Sequence, residues 1–169
     1  MRALSILILP ILLVLPRPAQ AADAPRPCAA PQHRQFDFWI GEWDVRTPDG
    51  KTAGTNRITG ILGGCGLQEN WTGAGGTVGT SLNIYDAARA LWHQTWIDST
   101  GSLLLLDGAF RDGRMVLSGT TRSAKGGTTT DRITWEPLAG GDVRQLWEQS
   151  SDGGASWTVA FDGRYTRRH

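Results

Sequence analysis

The sequence predicts an all-β protein that folds as a closed antiparallel meander barrel of about ten strands, preceded by a short N-terminal helical turn. Short runs rich in β-branched and aromatic residues recur along the chain, and clusters of Gly, Asp, Pro and Ser separate them. After Gly41 no helical period is visible. Consecutive strands joined by short loops form a meander, and the sheet is expected to close because an open one would leave long unpaired edges.

The first residues have the features of a signal peptide. Arg2 provides a positive start, Ala3–Leu15 is mainly apolar, and Ala19-Gln20-Ala21 is the small-x-small pattern that precedes a cleavage site. We therefore expect residues 1–21 to be removed and the protein to be exported, either to the periplasm or out of the cell. Neither this run nor any later segment reaches the length of a spanning helix, about 20 residues, so no membrane span is expected.

The rest of the chain is expected to be one domain with a disulfide. Residues 22–32 are rich in Ala and Pro and predict an extended leader, and residues 33–169 predict a single β-barrel domain whose helical turn lies within His33–Ile40. In an oxidising compartment, the two cysteines predict a disulfide between Cys28 and Cys65, with two free thiols as the alternative.

The charge of the chain argues against nucleic acid as a partner. Without Arg2 and Arg17, the 17 basic residues become 15, against 16 acidic ones, and no basic run is present. Proteins that bind nucleic acid instead concentrate Lys and Arg on one face. The oligomeric state is left open.

Ten strands are expected from the alternation of residues and from the turn residues between them. They are Glu42–Thr47, Thr52–Leu62, Leu67–Thr72, Thr77–Tyr85, Leu91–Ser99, Leu103–Phe110, Arg114–Arg122, Thr128–Pro137, Val143–Ser150 and Trp157–Arg167. In the last strand, Trp157, Val159, Phe161 and Tyr165 are expected on one face. Leu103–Leu106 is apolar at every position and predicts a segment covered on both faces.

Three strands share a polar residue two positions before a tryptophan. The pairs are Glu69–Trp71, Gln94–Trp96 and Gln145–Trp147. Residues two apart on a strand point to the same face, so inward-facing pairs would form a cavity with indole walls, one carboxylate and two amides. The alternative is that the indoles fill the core or cover the outside, and that the polar residues are solvated.

No histidine is placed to bind haem or a metal. His93 lies on the strand face opposite Trp92 and Trp96, so inward indoles would turn it outward. No cluster of ligands indicates a metal site, and we expect no cofactor. Glu69, Asp98, Asp107 and Glu148 are the strand carboxylates available for acid–base chemistry, but sequence motifs of known enzyme classes are absent.

Two local motifs resemble known structures. Ser150–Trp157 fits the Asp-box of sialidase propellers, which predicts a turn held by Asp152 with Trp157 packed beneath it. Gly41-Glu42-Trp43, after a helical turn, resembles the G-x-W of the calycin superfamily, in which an arginine of the last strand covers the Trp at the closed end of the barrel. Here Arg164 or Arg167 would do so; strand parity turns Arg164 away from Trp157 and Phe161, which leaves the choice between the two open.

A wider resemblance covers nearly all of the mature chain. The segments FDFWIGEWDV, YDAARALWHQTW, LWEQSSDGGASW and FDGRYTR are similar to an uncharacterised family of exported bacterial lipocalin-like domains of unknown function. The resemblance implies a calycin-type barrel and export, and it assigns no active site. Ten strands fit the fatty-acid-binding and nitrobindin-like branch better than the eight-stranded lipocalins, and the strand number remains open between eight and ten.

The predicted function is the binding of a small apolar or aromatic molecule inside the barrel. Two alternatives remain: a protein-interaction barrel with an external tryptophan patch, and a small barrel enzyme of the isomerase or lyase type.

Overall fold

Ten antiparallel strands follow one another around a closed barrel in which the first strand pairs with both the second and the last. The computed structural model describes residues 27–122 and 126–168, so the predicted signal peptide and residues 22–26 of the predicted leader lie outside the described residues. The strands are β1 (Gly41–Arg46), β2 (Thr52–Ile61), β3 (Gly66–Gly73), β4 (Val78–Asp86), β5 (Leu91–Asp98), β6 (Leu103–Arg111), β7 (Arg114–Arg122), β8 (Thr128–Pro137), β9 (Val143–Ser150) and β10 (Thr158–Arg167).

The helical segment before the barrel is longer than the sequence predicts. It consists of two 3₁₀ helices, Pro31–Arg34 and Asp37–Trp39, so residues 31 and 32 are helical and do not belong to an extended leader. Pro31 begins the first helix, where the fixed φ of proline fits and its missing N–H is not needed.

These helices place an aromatic plug in one end of the barrel. Phe36 and Trp39 are fully buried, and their rings stack 5.0 Å apart. Phe36 also meets Trp92 and Trp135 of the barrel wall, with centroid distances of 5.6 and 5.2 Å. Burial of so much aromatic surface is the main force that holds the plug in place.

A disulfide joins the plug segment to the barrel, as predicted. Cys28 is bonded to Cys65, which lies just before β3. Close by, the Arg34 guanidinium donates a hydrogen bond to the Gly64 carbonyl. Among the described residues, no helix is long and apolar enough to cross a membrane.

Arg167, and not Arg164, covers the tryptophan of the Gly41-Glu42-Trp43 motif. Trp43 is fully buried, and the Arg167 guanidinium lies 4.5 Å from its ring centre. Trp43 and Arg167 are direct partners across β1 and β10, which puts both on the same face. Arg164 instead forms an ion pair with Asp142, at 2.7 Å. Gly41 leaves room for this arrangement, because a Cβ there would lie 2.6 Å from Nη1 of Arg167.

Two predictions about strand faces are wrong. A register irregularity between Val159 and Phe161 turns the start of β10 over, so Val159 is 63% exposed while Tyr165 is buried. A bulge of this kind adds a residue and reverses the alternation. Leu103 and Leu105 are about half exposed, because nothing among the described residues covers the outer face of β6; Leu104 and Leu106 face the core.

Candidate functional site

One cavity inside the barrel brings the three polar-x-Trp pairs together. It has a volume of about 180 Å³ and is lined by Glu69 and Trp71 of β3, Gln94 and Trp96 of β5, and Gln145 and Trp147 of β9. The strands carrying these pairs are separated in sequence, and only closure of the barrel makes them face one another. The three indoles are partly buried and pack against the core.

The remaining walls of the cavity are mostly apolar. They are formed by Leu104, Ile133, Trp135, Ala160, Phe161 and Tyr165. Trp135 and Tyr165 also contact Trp39 of the plug, with ring centroids 5.3 and 6.5 Å away. These two rings therefore form the boundary between the cavity and the plugged end of the barrel.

Glycines on neighbouring strands make room for two of the indoles. A Cβ on Gly54 would lie 2.8 Å from the Trp71 ring, and one on Gly79 would lie 2.3 Å from the Trp96 ring. The rings thus lie against bare backbone of the next strand, an arrangement in which an aromatic side chain covers a strand glycine. It holds each indole against the wall of the barrel and leaves the centre open.

Glu69 is the carboxyl group of the cavity. It is 4% exposed, and its two oxygens accept hydrogen bonds from Asn56 Nδ2, at 2.7 Å, and from Ser81 Oγ, at 2.6 Å. Burial raises the pKa of Glu69 to about 7, although both hydrogen bonds act in the opposite direction. The group therefore changes its protonation state close to neutral pH.

Gln94 is connected to Glu69 by a chain of buried polar side chains. Its Nε2 donates to Asn83 Oδ1 at 2.8 Å, and Asn83 Nδ2 donates to Ser81 Oγ at 2.9 Å. Ser81 in turn donates to Glu69. Buried amides and hydroxyls that satisfy one another in this way hold a defined geometry.

Gln145 and Tyr165 form a second polar contact in the cavity wall. The Tyr165 hydroxyl donates a hydrogen bond to Gln145 Oε1. Burial and the nearby Glu69 carboxyl raise the pKa of Tyr165 well above its ordinary value, so the phenol stays neutral. This contact orients the Gln145 amide.

Carboxylates hold the indole N–H groups of Trp96 and Trp147. Trp147 Nε1 donates to Asp131 Oδ1 at 2.8 Å, and Trp96 Nε1 donates to Asp98 Oδ2 at 3.2 Å. Asp131 is fully buried and also accepts from Gln149 and Thr121, at 2.9 and 3.0 Å. These bonds hold the two indoles in position.

The other candidate carboxylates and His93 do not line the cavity. His93 Nδ1 is 2.7 Å from Asp107 Oδ1, and Asp107 also pairs with Arg89. Glu148 forms an ion pair with Arg132 at 3.0 Å. Of the four strand carboxylates considered for chemistry, Glu69 alone lines the cavity.

Four polar residues of the hydrogen-bond networks around the cavity were missed at the level of sequence: Asn56, Ser81, Asn83 and Asp131. All four are buried and polar. Each lies on the inward face of its strand, where buried positions are two apart, as Gly54, Asn56 and Ile58 are on β2. That period was a usable signal, but it needed knowledge of which face points inward.

The Asp-box segment forms the expected turn. The Asp152 carboxylate accepts from the Ser156 amide at 2.9 Å and from the Ser156 and Ser150 hydroxyls. These bonds hold the pKa of Asp152 well below its ordinary value. Trp157 Nε1 donates to the Gly154 carbonyl at 3.1 Å, and the Arg132 guanidinium lies 3.8 Å from the Trp157 ring centre. The box is a structural element on the outside of the barrel.

Comparison with models of known protein families gives no match to this chain, and comparison with curated proteins gives none either.

Proposed function

We propose that this protein binds a small apolar or aromatic molecule in the interior of its barrel. The observation that carries the proposal is the single cavity in which Trp71, Trp96 and Trp147 meet Glu69, Gln94 and Gln145. Small-molecule sites typically combine apolar and aromatic walls with a few placed polar groups that orient the ligand. Glu69, Gln94 and Gln145 supply those polar groups here.

The size of the cavity limits the ligand to about one ring. Its volume is about 180 Å³, and an apolar cavity of about 150 Å³ is known to accept benzene. Pockets for drug-sized ligands are larger, about 300–1,000 Å³. A benzene-sized body with one polar substituent is therefore the best fit.

Export is part of the proposal. The signal-like features of residues 1–21 and the Cys28–Cys65 bond support it, since structural disulfides persist in oxidising compartments. Membership in a lipocalin-like exported family is supported by the ten-stranded meander and by the stacking of Arg167 on Trp43.

The two alternatives have less support. Seven of the eight tryptophans lie in the core or line the cavity, and Trp157 is covered by Arg132, so the external tryptophan patch is not formed. An isomerase or lyase needs a positioned acid–base pair. Glu69 has a suitable pKa, about 7, but the neighbouring Tyr165 hydroxyl already donates to Gln145.

The test is a calorimetric titration of the folded protein with three one-ring probes: toluene, benzyl alcohol and benzylamine. We expect at least one of them to bind, and the Ala160→Trp variant to lose that binding because a large side chain at the cavity edge would occupy it. Ala88→Trp, in the exposed turn between β4 and β5, is the matched control and should bind as the wild type does. No binding of any probe, or unchanged binding by Ala160→Trp, would contradict the proposal.

A further inference from the structure

The buried ionisable side chains of the barrel interior are acids, with no base among them. Glu69 and Asp131 are 4% and 0% exposed, and no Lys, Arg or His is buried among the described residues. In the same part of the chain, no basic side chain forms an ion pair with either carboxyl or lines the cavity. A buried carboxylate without a counter-charge is costly, and a cation in the cavity would remove that cost.

The aromatic rings of the cavity supply a second attraction for positive charge. Trp71, Trp96, Trp147 and Phe161 all line it, and the Trp71 and Phe161 rings meet edge to face with centroids 6.0 Å apart. The faces of such rings carry negative potential, and aromatic cages are a recurrent way to bind organic ammonium groups. An anionic ligand would be repelled by the faces of the same rings and by the Glu69 carboxylate, and no basic side chain of the described residues lines the cavity to pair with it.

The hydrogen bonds to Glu69 suit its ionised form. Each carboxyl oxygen accepts one bond, from Asn56 or from Ser81, and donors on both oxygens stabilise a carboxylate. The Ser81 hydroxyl is itself held by Asn83. The carboxyl is therefore already positioned to act as a counter-ion when a cation arrives.

We propose that the cavity selects a compact organic cation, namely a protonated amine or a quaternary ammonium group on an apolar body of about one ring, with its charge between the indoles and Glu69. The inference rests on the proposed function, because it names the chemical class of the ligand that the same cavity binds. The apolar body would contact Leu104 and Ile133, and the positive group would be paired with the Glu69 carboxylate.

Benzylamine, benzyl alcohol and toluene test this directly, since they share one ring and differ in charge and polarity. At neutral pH, where benzylamine is protonated, we expect it to bind about tenfold more tightly than benzyl alcohol or toluene. Glu69→Gln should abolish this preference while keeping the shape of the site. Glu42→Gln, an exposed glutamate on β1, is the matched control and should keep the preference.

The comparison of the three probes on the wild type does not depend on whether a variant folds. Binding of toluene or benzyl alcohol with no preference for benzylamine would overturn the cation proposal and leave the proposed function standing. A preference for benzylamine that survives in folded Glu69→Gln would also overturn it. Binding of none of the probes would overturn both.

Discussion

Glu69 is the buried carboxyl that lines the cavity. Its carboxyl is enclosed by β2, β3 and β4, where Asn56 and Ser81 donate to its two oxygens. Desolvation outweighs these bonds and raises its pKa to about 7. The neighbouring Tyr165 phenol is neutral, and no Lys, Arg or His among the described residues lines the cavity to pair with this carboxyl.

The raised pKa makes the stability of the barrel depend on pH. Because the folded pKa, about 7, is above the ordinary value of 4.5, the folded state holds the proton more tightly than the unfolded state. This contribution is fully present below pH 4.5 and is lost as the pH rises through about 7, which amounts to about 3 kcal/mol of unfolding free energy. Glu69→Gln cannot titrate and should lack it.

Urea unfolding of the wild type and Glu69→Gln across this pH range checks the prediction. The unfolding free energy of the wild type should fall relative to that of Glu69→Gln as the pH rises. Carboxyls with lowered pKa values, such as Asp107 and Asp152, also make stability depend on pH. Their contributions cancel in the difference because both proteins contain them. Glu42→Gln should follow the wild type, and parallel curves for wild type and Glu69→Gln would contradict the assignment.

At the scale of elements, the plug of two 3₁₀ helices completes the barrel. Short helices of this kind have little stability of their own. The plug is held by burial of Phe36 and Trp39, by the Trp92 Nε1 bond to Gln35 Oε1 at 3.1 Å, and by the disulfide that ties its N-terminal side to the residue before β3.

Removal of the disulfide should destabilise the protein without changing its fold. Cys28 and Cys65 are 37 residues apart, and closing a loop of that length is worth about 3–4 kcal/mol in the chain-entropy model. We expect the double variant Cys28→Ala/Cys65→Ala to lose that amount in urea unfolding. Reductant should shift the wild type in the same way and leave the variant unchanged; an equally stable variant would show that the bond contributes nothing.

At the scale of the whole molecule, the barrel is closed by the seam between β1 and β10, which is the shortest of its strand pairings. It has four paired positions, from Trp43–Arg167 to Arg46–Arg164, whereas β7 and β8 have eight. The seam joins the two ends of the meander, so chain connectivity does nothing to bring these strands together. Trp43 reinforces it, lying beneath Arg167 and donating its indole N–H to the Trp39 carbonyl at 3.0 Å.

Loss of the Trp43 ring should therefore weaken the closure. Trp43→Ala removes a fully buried indole, which costs about 3–5 kcal/mol. Trp157→Ala is the control, because it removes an indole that is stacked under Arg132 on the outside of the barrel, and it should cost clearly less. Urea unfolding of the two variants gives the comparison, and equal losses would argue against a special role for Trp43.

The fold could be predicted because its signals are local. Arg114–Arg122, Thr128–Pro137 and Val143–Ser150 are strands with the expected bounds, since alternation and turn residues are read within a few positions of the chain. The polar-x-Trp pairs are local in the same sense: two residues on one strand face can be identified without knowing what lies opposite them.

The three misses about side-chain position depend on how a strand meets its neighbours. The exposure of Leu103 and Leu105 depends on what covers β6. The reversal at Val159 depends on the pairing of β10 with β9. The stacking of Arg167, and not Arg164, on Trp43 depends on the register of β10 with β1.

The sequence by itself determined the class of fold, the order of the strands, the disulfide pair and six of the twelve residues that line the cavity. The tertiary structure decided the hydrogen-bond network and the electrostatics of the cavity. Asn56 of β2 and Ser81 of β4 are hydrogen-bonded to Glu69 of β3 through the register of neighbouring strands. The raised pKa of Glu69 comes from burial by the closed barrel as a whole. Both effects depend on distances between strands, and a strand's own residues do not encode those distances.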